Sequence, residues 1–170
     1  IDLFVDIAAI LAREEPSMRF LVVGEGPQEK NIRRKIDELG VGGRVLLLGH
    51  RNDVPDILAA SDVMVMTSMK EGLPQVVLQA LAMQRPVVAS PVGAIPEVVA
   101  HEETGLLCPA GEVEGFVAAI RRLLQDPALG RRLGAAGRRR ILERHSAIAM
   151  GGKTEEFYRH LALAKGISPG

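Results

Sequence analysis

The sequence predicts a doubly wound α/β domain, a parallel sheet with helices on both faces. Three observations carry that expectation. Short apolar runs recur along the chain, near-continuously apolar rather than alternating, as strands buried on both faces are. Segments with helical spacing separate them, so strand and helix alternate. The chain has 170 residues and 47% hydrophobic content, enough for one domain with a sizeable core.

The elements follow in order. Leu3, Ile7, Ile10 and Leu11 share one face of a helix over 3–12, with Asp2 as its cap. Residues 20–23 form a buried strand ending at Gly24. A polar helix over 28–39 closes at Gly40. Residues 45–48 form the next strand, and a short helix over 54–60 leads into a strand over 62–66. Helix 74–83 starts at Pro74 and leads into strand 86–89. A short helix at 96–99 and a short strand at 105–107 follow, with Glu97 expected to cap the former. The remainder is helical, over 112–125, 127–144 and 147–164, the second opened by Asp126-Pro127. Gly151-Gly152 predicts a break or kink in the last helix. Residues 166–170 read as a frayed tail, which leaves 1–165 as the domain.

Composition excludes several classes. Lys plus Arg equals Asp plus Glu at 21 each, whereas a nucleic-acid binder usually carries a basic excess. The single Cys108 excludes an internal disulfide and a multi-cysteine metal site, and reads as a buried thiol. His101, His145 and His160 lie far apart without ligand spacing, so no metal is assigned. No apolar run approaches the ~20 residues of a membrane span, and no signal peptide is visible. The chain starts at Ile1, so little follows from its N-terminus. Gly24-Glu25-Gly26 follows a strand, but Glu29 stands where a dinucleotide fingerprint needs its third glycine. There is no P-loop pattern and no nucleophile elbow.

Residues 71–79, Glu-Gly-Leu-Pro-Gln-Val-Val-Leu-Gln, carry the functional signal. They place an acid and a glycine between a strand and a helix start. Open α/β sheets bind ligands at the carboxyl ends of their strands. Free N–H groups and the dipole at a helix start suit an anion such as a diphosphate. A carboxylate beside them suits sugar hydroxyls.

This stretch resembles the hallmark of the family-4 (group 1) retaining glycosyltransferases, a Glu followed eight positions later by a second Glu. Here the first is Glu71, and the second position holds Gln79. Further motifs match in order: Gly49-His50-Arg51-Asn52-Asp53-Val54-Pro55, Leu58-Ala59-Ala60-Ser61-Asp62-Val63, Pro86-Val87-Val88-Ala89-Ser90, Gly93-Ala94-Ile95-Pro96-Glu97-Val98-Val99 and Thr104-Gly105-Leu106-Leu107. The likeness runs from about residue 1 to about residue 160.

The resemblance implies the Rossmann-like C-terminal, donor-binding half of a two-domain B-type glycosyltransferase. Glu71 would contact hydroxyls of the transferred sugar. Gly72 and Leu73 would offer backbone N–H groups to the diphosphate, and Pro74, which has none, would shape the turn. Gln79 would stand where the family's glutamate binds the ribose hydroxyls; an amide bonds a diol more weakly than a carboxylate. His50 and Arg51 would border the nucleotide base. No metal or cofactor is implied, and the nucleotide diphosphate sugar is the donor substrate. In relatives a strand with a Gly-Arg pair and a Lys-Gly loop precede the helix that here opens at Ile1, and this chain contains neither. A fragment, an omitted region and a strand swapped from another molecule all stand as explanations. Helix 147–164 would pack toward an N-terminal acceptor domain, and its apolar residues would otherwise drive self-association. The arginines at 131–132 and 138–140 read as a solvated helix face, with a peripheral contact at the inner face of a membrane as the second reading. The expected location is cytoplasmic. Gln84 stands where the family has glycine at a helix end, a site that favours positive φ. Two other functions remain open: a non-catalytic nucleotide-sugar-binding module, and a sugar-nucleotide epimerase.

Overall fold

The structure is a computed structural model and describes residues 1–165. The expected tail, 166–170, lies outside the described residues. Element order is α1 (Asp2–Glu14), β1 (Phe20–Val22), α2 (Glu29–Glu38), β2 (Val45–Leu47), α3 (Val54–Ala60), β3 (Met64–Met66), α4 (Gln75–Ala82), β4 (Val87–Ala89), α5 (Ile95–Val98), β5 (Leu106–Leu107), α6 (Val113–Gln125), α7 (Pro127–Arg144) and α8 (Ala147–Ala164). Every expected element is present, each strand trimmed to two or three paired residues.

All pairing is parallel. Phe20 lies opposite Val45 in the β1-β2 sheet, and Met64 opposite Val87 and Val88 opposite Leu106 in the β3-β4-β5 sheet. No ladder joins β1 to β3, so the doubly wound sheet is interrupted between them. That interruption is what the strand order 3-2-1-4-5-6 predicts when none of the described residues supplies the central strand.

β4 shows why its run is apolar throughout. Val88 packs with Phe20, Val45, Leu106, α1 and α6, while Val87 and Ala89 pack on the other face with α4 and α5. Successive strand residues point to opposite faces, so both faces need apolar side chains. Val5, Ile7 and Leu11 of α1 meet Phe116, Val117 and Ile120 of α6 on the first face. Val77 and Leu81 of α4 meet Ile95 and Val98 of α5 on the second. Each such buried side chain contributes about 1.5–3 kcal/mol relative to exposure.

The caps follow the residues. Asp126 accepts hydrogen bonds from the N–H groups of Ala128 and Leu129, opening α7. Gly40 closes α2 at φ +68°. Asp2 is not a cap: Ile1 holds that position, and Asp2 is the first helical residue, its carbonyl accepting from Lys35 Nζ at 3.0 Å. Glu97 makes no capping hydrogen bond either. α8 runs unbroken through Gly151 and Gly152, correcting the expected break. A mid-helix glycine costs about 1 kcal/mol but keeps its N–H in the ladder, so it weakens a helix without ending it.

The arginines of α7 are largely exposed, as a solvated helix face requires, with only Arg140 half-buried, but three of them also reach carbonyls of other segments. Arg138 Nη1 donates to the Ala82 carbonyl at 3.0 Å, and Arg140 Nη2 to the Glu97 carbonyl at 2.8 Å. Arg132 Nη1 reaches the Glu102 carbonyl at 3.3 Å. Cations are favoured at the carbonyl ends of helices, so two of these arginines tie α7 to the ends of α4 and α5. Among the described residues no helix is long and apolar enough to cross a membrane.

Candidate functional site

The loop from Thr67 to Pro74 leaves the carboxyl end of β3 and enters α4. Pro74 caps α4 in an extended conformation, φ −71° and ψ 118°. Its fixed φ suits that entry, and its missing N–H removes nothing that a helix start could pair. Val77 N–H turns back to the Pro74 carbonyl at 3.1 Å. Among the described residues, the N–H groups of Gly72 and Leu73 have no backbone partner. Both residues are exposed.

Glu71 is half-buried. Ser68 Oγ donates to its Oε1 at 2.6 Å. No Lys, Arg or His lies within ion-pair distance of it among the described residues. A carboxylate has about four acceptor positions, so most of its capacity remains for a ligand.

A second loop, from Ser90 to Ala94 after β4, holds this backbone in place. Ala94 N–H donates to the Gly72 carbonyl at 3.1 Å. Gly93 has φ +56°, and a β-carbon there would stand 2.0 Å from the Glu71 carbonyl oxygen. Only glycine fits that approach. In the sequence Gly93 stood as a motif residue without this role, and Ser68 was not among the expected site residues. Ser68 precedes Glu71 by three positions, so a turn-forming hydroxyl within reach of the acid was the available signal.

The loops after β1 and β2 are joined separately. Gly24 N–H donates to the Gly49 carbonyl at 2.8 Å, and Glu25 Oε1 accepts from His50 N–H at 3.2 Å. Glu25 was also missed. His50 and Arg51 are exposed. Arg51 pairs bidentately with Asp53, at 2.7 and 2.5 Å, so its guanidinium is engaged within its own loop. That pairing raises the Arg51 pKa and holds the Asp53 carboxyl below its ordinary value, chiefly through the hydrogen bonds. Gln79 is exposed on α4, and no hydrogen bond links it to the Glu71 loop. The structure therefore joins Glu71, Ser68, Gly72 and the Gly93 loop, and leaves Gln79, His50 and Arg51 outside that hydrogen-bonded group. A surface depression of ≈ 390 Å³ lies elsewhere, lined by Thr104, Arg132, Arg139 and Arg140 among others. The Glu71 loop lines neither this depression nor the one along β2. Among the described residues no three His, Cys, Asp or Glu side chains converge to hold a metal ion.

Fold and loop together define a Rossmann-like α/β domain of the two-domain B-type glycosyltransferase architecture. The chain belongs to the group 1 glycosyl transferases, whose family model matches residues 1–126. The N-acetyl-alpha-D-glucosaminyl L-malate synthase of Bacillus anthracis is 35% identical over 144 residues, covering 85% of this chain and 38% of that protein. The HepE protein of Anabaena, solved in complex with UDP-glucose, superposes with a TM-score of 0.84 at 26% identity, over 93% of this chain and 44% of that one. A crystallised C-terminal domain of a group 1 glycosyl transferase, LpcC of Francisella tularensis, shares the fold at a TM-score of 0.79 and 23% identity. It is covered over 86% of this chain and 79% of that one. The chain spans less than half the length of the synthase and of HepE.

Proposed function

We propose that this chain is the donor-binding domain of a retaining glycosyltransferase. The complete protein would move a sugar from a nucleotide diphosphate sugar to a hydroxyl of a glycan, lipid or small molecule. The observation that carries this reading is the Glu71 carboxylate. It is half-buried and, among the described residues, free of any cation and placed beside N–H groups of Gly72 and Leu73 that have no backbone partner, at a helix start. Glu71 accepts hydrogen bonds from the sugar hydroxyls. The two N–H groups and the α4 dipole face the diphosphate, which bears the charge that grows as the bond to the sugar breaks. His50 and Arg51 border the base, and Gln79 bonds the ribose. The departing diphosphate takes the acceptor proton, so no enzymatic nucleophile is needed. No metal is required in this scheme.

Binding and catalysis here need a second domain to close over the donor. The 170-residue chain alone is therefore expected to bind donor weakly and turn over nothing. α8 packs toward that second domain. Calorimetric titration with UDP, GDP and ADP, each beside a sugar conjugate, tests the reading. One base should be selected, and its conjugate should bind tighter in the unchanged protein but not in Glu71→Ala. A measurable turnover by the isolated chain would contradict the need for closure.

Gln79 favours a second reading, a nucleotide-sugar-binding module without catalysis. An exposed amide replaces the expected carboxylate there. In the complete protein, Gln79→Glu should raise donor affinity severalfold if the site is live, because a charged acceptor roughly doubles the strength of each hydroxyl bond. An unchanged affinity supports the module.

A further inference from the structure

Ser68 lies three residues before Glu71 in the same loop and is half-buried like it. Its Oγ has two acceptors in range, Glu71 Oε1 at 2.6 Å and Met66 Sδ at 3.2 Å. A hydroxyl has one proton to donate. The carboxylate is nearer and charged, and a thioether sulfur is a weak acceptor, so the proton goes to Glu71.

The backbone beneath is already fixed. Gly93 packs against the Glu71 carbonyl too closely for any β-carbon, and Ala94 N–H holds the Gly72 carbonyl at 3.1 Å. With the backbone held, the freedom left to Glu71 is in its side chain. Glutamate has three side-chain torsions and loses much rotamer entropy when ordered. Glu71 has no cation to hold it among the described residues, so the Ser68 bond is the polar contact that restrains its carboxylate. The bond occupies Oε1 from the protein side, and among the described residues Oε2 has no hydrogen-bond partner.

We propose that Ser68 is a positioning residue that fixes the Glu71 carboxylate in one orientation, so that its second oxygen meets the sugar of a nucleotide-sugar donor without first being ordered. This rests on Glu71 being the sugar contact. Preorganisation of this kind raises affinity by removing the ordering cost from the binding step. The effect is confined to the sugar, because the diphosphate is met by backbone N–H groups that Ser68 does not touch.

The test is calorimetry on the complete protein with UDP, GDP and ADP beside UDP-glucose, UDP-N-acetylglucosamine, GDP-mannose and ADP-glucose. The gain in affinity from the sugar is read for the unchanged protein, Ser68→Ala, Ser68→Thr, Glu71→Gln and the Ser68→Ala/Glu71→Gln double variant. Ser68→Ala is expected to lose about tenfold of the sugar gain, roughly what ordering a glutamate side chain on binding costs, with diphosphate affinity unchanged. Ser68→Thr keeps the hydroxyl and should keep the gain. The double variant should match Glu71→Gln alone. A Ser68→Ala protein that retains the gain while Glu71→Gln loses it overturns the positioning role and leaves Glu71 standing. Equal loss of diphosphate and sugar affinity in Ser68→Ala also overturns it, making the bond merely structural. If Glu71→Gln keeps the gain, or the unchanged protein shows none, the Glu71 reading falls and Ser68's role with it.

Discussion

Gly134 of α7 lies directly against the backbone of Gln84: a β-carbon at 134 would stand 2.0 Å from the Gln84 carbonyl oxygen and 2.7 Å from its carbon. Gly137, three residues on, would place one 2.6 Å from Leu81 Cδ2. The helix approaches the end of α4 this closely because these positions have no side chain. Gly134→Ala must push α7 away from a backbone atom that cannot yield. It should destabilise by on the order of 2–4 kcal/mol. Gly130 is the internal control, since its nearest contact would be Pro86 Cγ at an ordinary 3.7 Å. There alanine gains helix propensity and should stabilise by about 0.5–1 kcal/mol. Urea denaturation midpoints of the two variants should move in opposite directions; a shared direction contradicts the packing argument.

Gln84 itself sits at φ +60°, in the left-handed region. Arg85 N–H reaches back to the Ala80 carbonyl at 2.9 Å, the bond that closes a helix through a left-handed residue. A β-carbon there costs about 1–2 kcal/mol, and glycine would instead pay a backbone-entropy cost of up to about 1 kcal/mol. Gln84→Gly should therefore raise stability modestly, by up to about 1 kcal/mol, leaving the Gly134 contact intact because that contact is to backbone. A lower thermal midpoint would count against it.

The strain at Gln84 was legible from the glycine that the family carries at this helix end, and Gly40 and the Asp126-Pro127 start were legible because caps are written in adjacent residues. The strands were legible because burial on both faces demands unbroken apolar runs, and β4 satisfies it with three buried residues. The Glu71 loop was legible because acid, glycine and proline follow a strand in a pattern that places them. What the sequence concealed were contacts between distant segments. Arg138 meets Ala82 across 56 positions and Arg140 meets Glu97 across 43, and an arginine run does not announce a carbonyl partner. Gly93 under Glu71, and Gly134 under Gln84, are likewise tertiary. Arg51 and Asp53 stand only two residues apart, so their pairing was readable, but the resemblance drew Arg51 toward the ligand instead.

α8 leaves Phe157 60%, Tyr158 65% and Leu163 59% exposed. The rings of Phe157 and Tyr158 meet edge to face, 6.0 Å between centroids. Residues 157 and 161 share a helix face, so Leu161 extends the apolar surface. The isolated chain should self-associate as concentration rises. Sedimentation velocity should show that rise, and Phe157→Glu with Leu161→Glu should abolish it. A clean monomer over a wide concentration range would argue that this face is too small to pair.

Cys108 is 5% exposed, and its thiol donates to the Gly115 carbonyl at 3.4 Å. Burial, aided by the Glu112 charge, pushes its pKa from 9.0 up to about 11. The thiol form both fits the apolar surroundings and keeps its hydrogen bond; the thiolate loses both. In the unfolded chain the group ionises at its ordinary pKa, so the native state holds more protons between the two values. Its stabilising share is fully present below about pH 9 and is lost as pH rises toward 11, by at most about 3 kcal/mol. Lys and Tyr groups also titrate there, so the comparison must be with Cys108→Ala across the same range. The stability difference between the two proteins should be constant from pH 7 to 9 and should narrow from 9 to 11. A difference that stays constant to pH 11 would mean that the native site admits the thiolate as readily as water does.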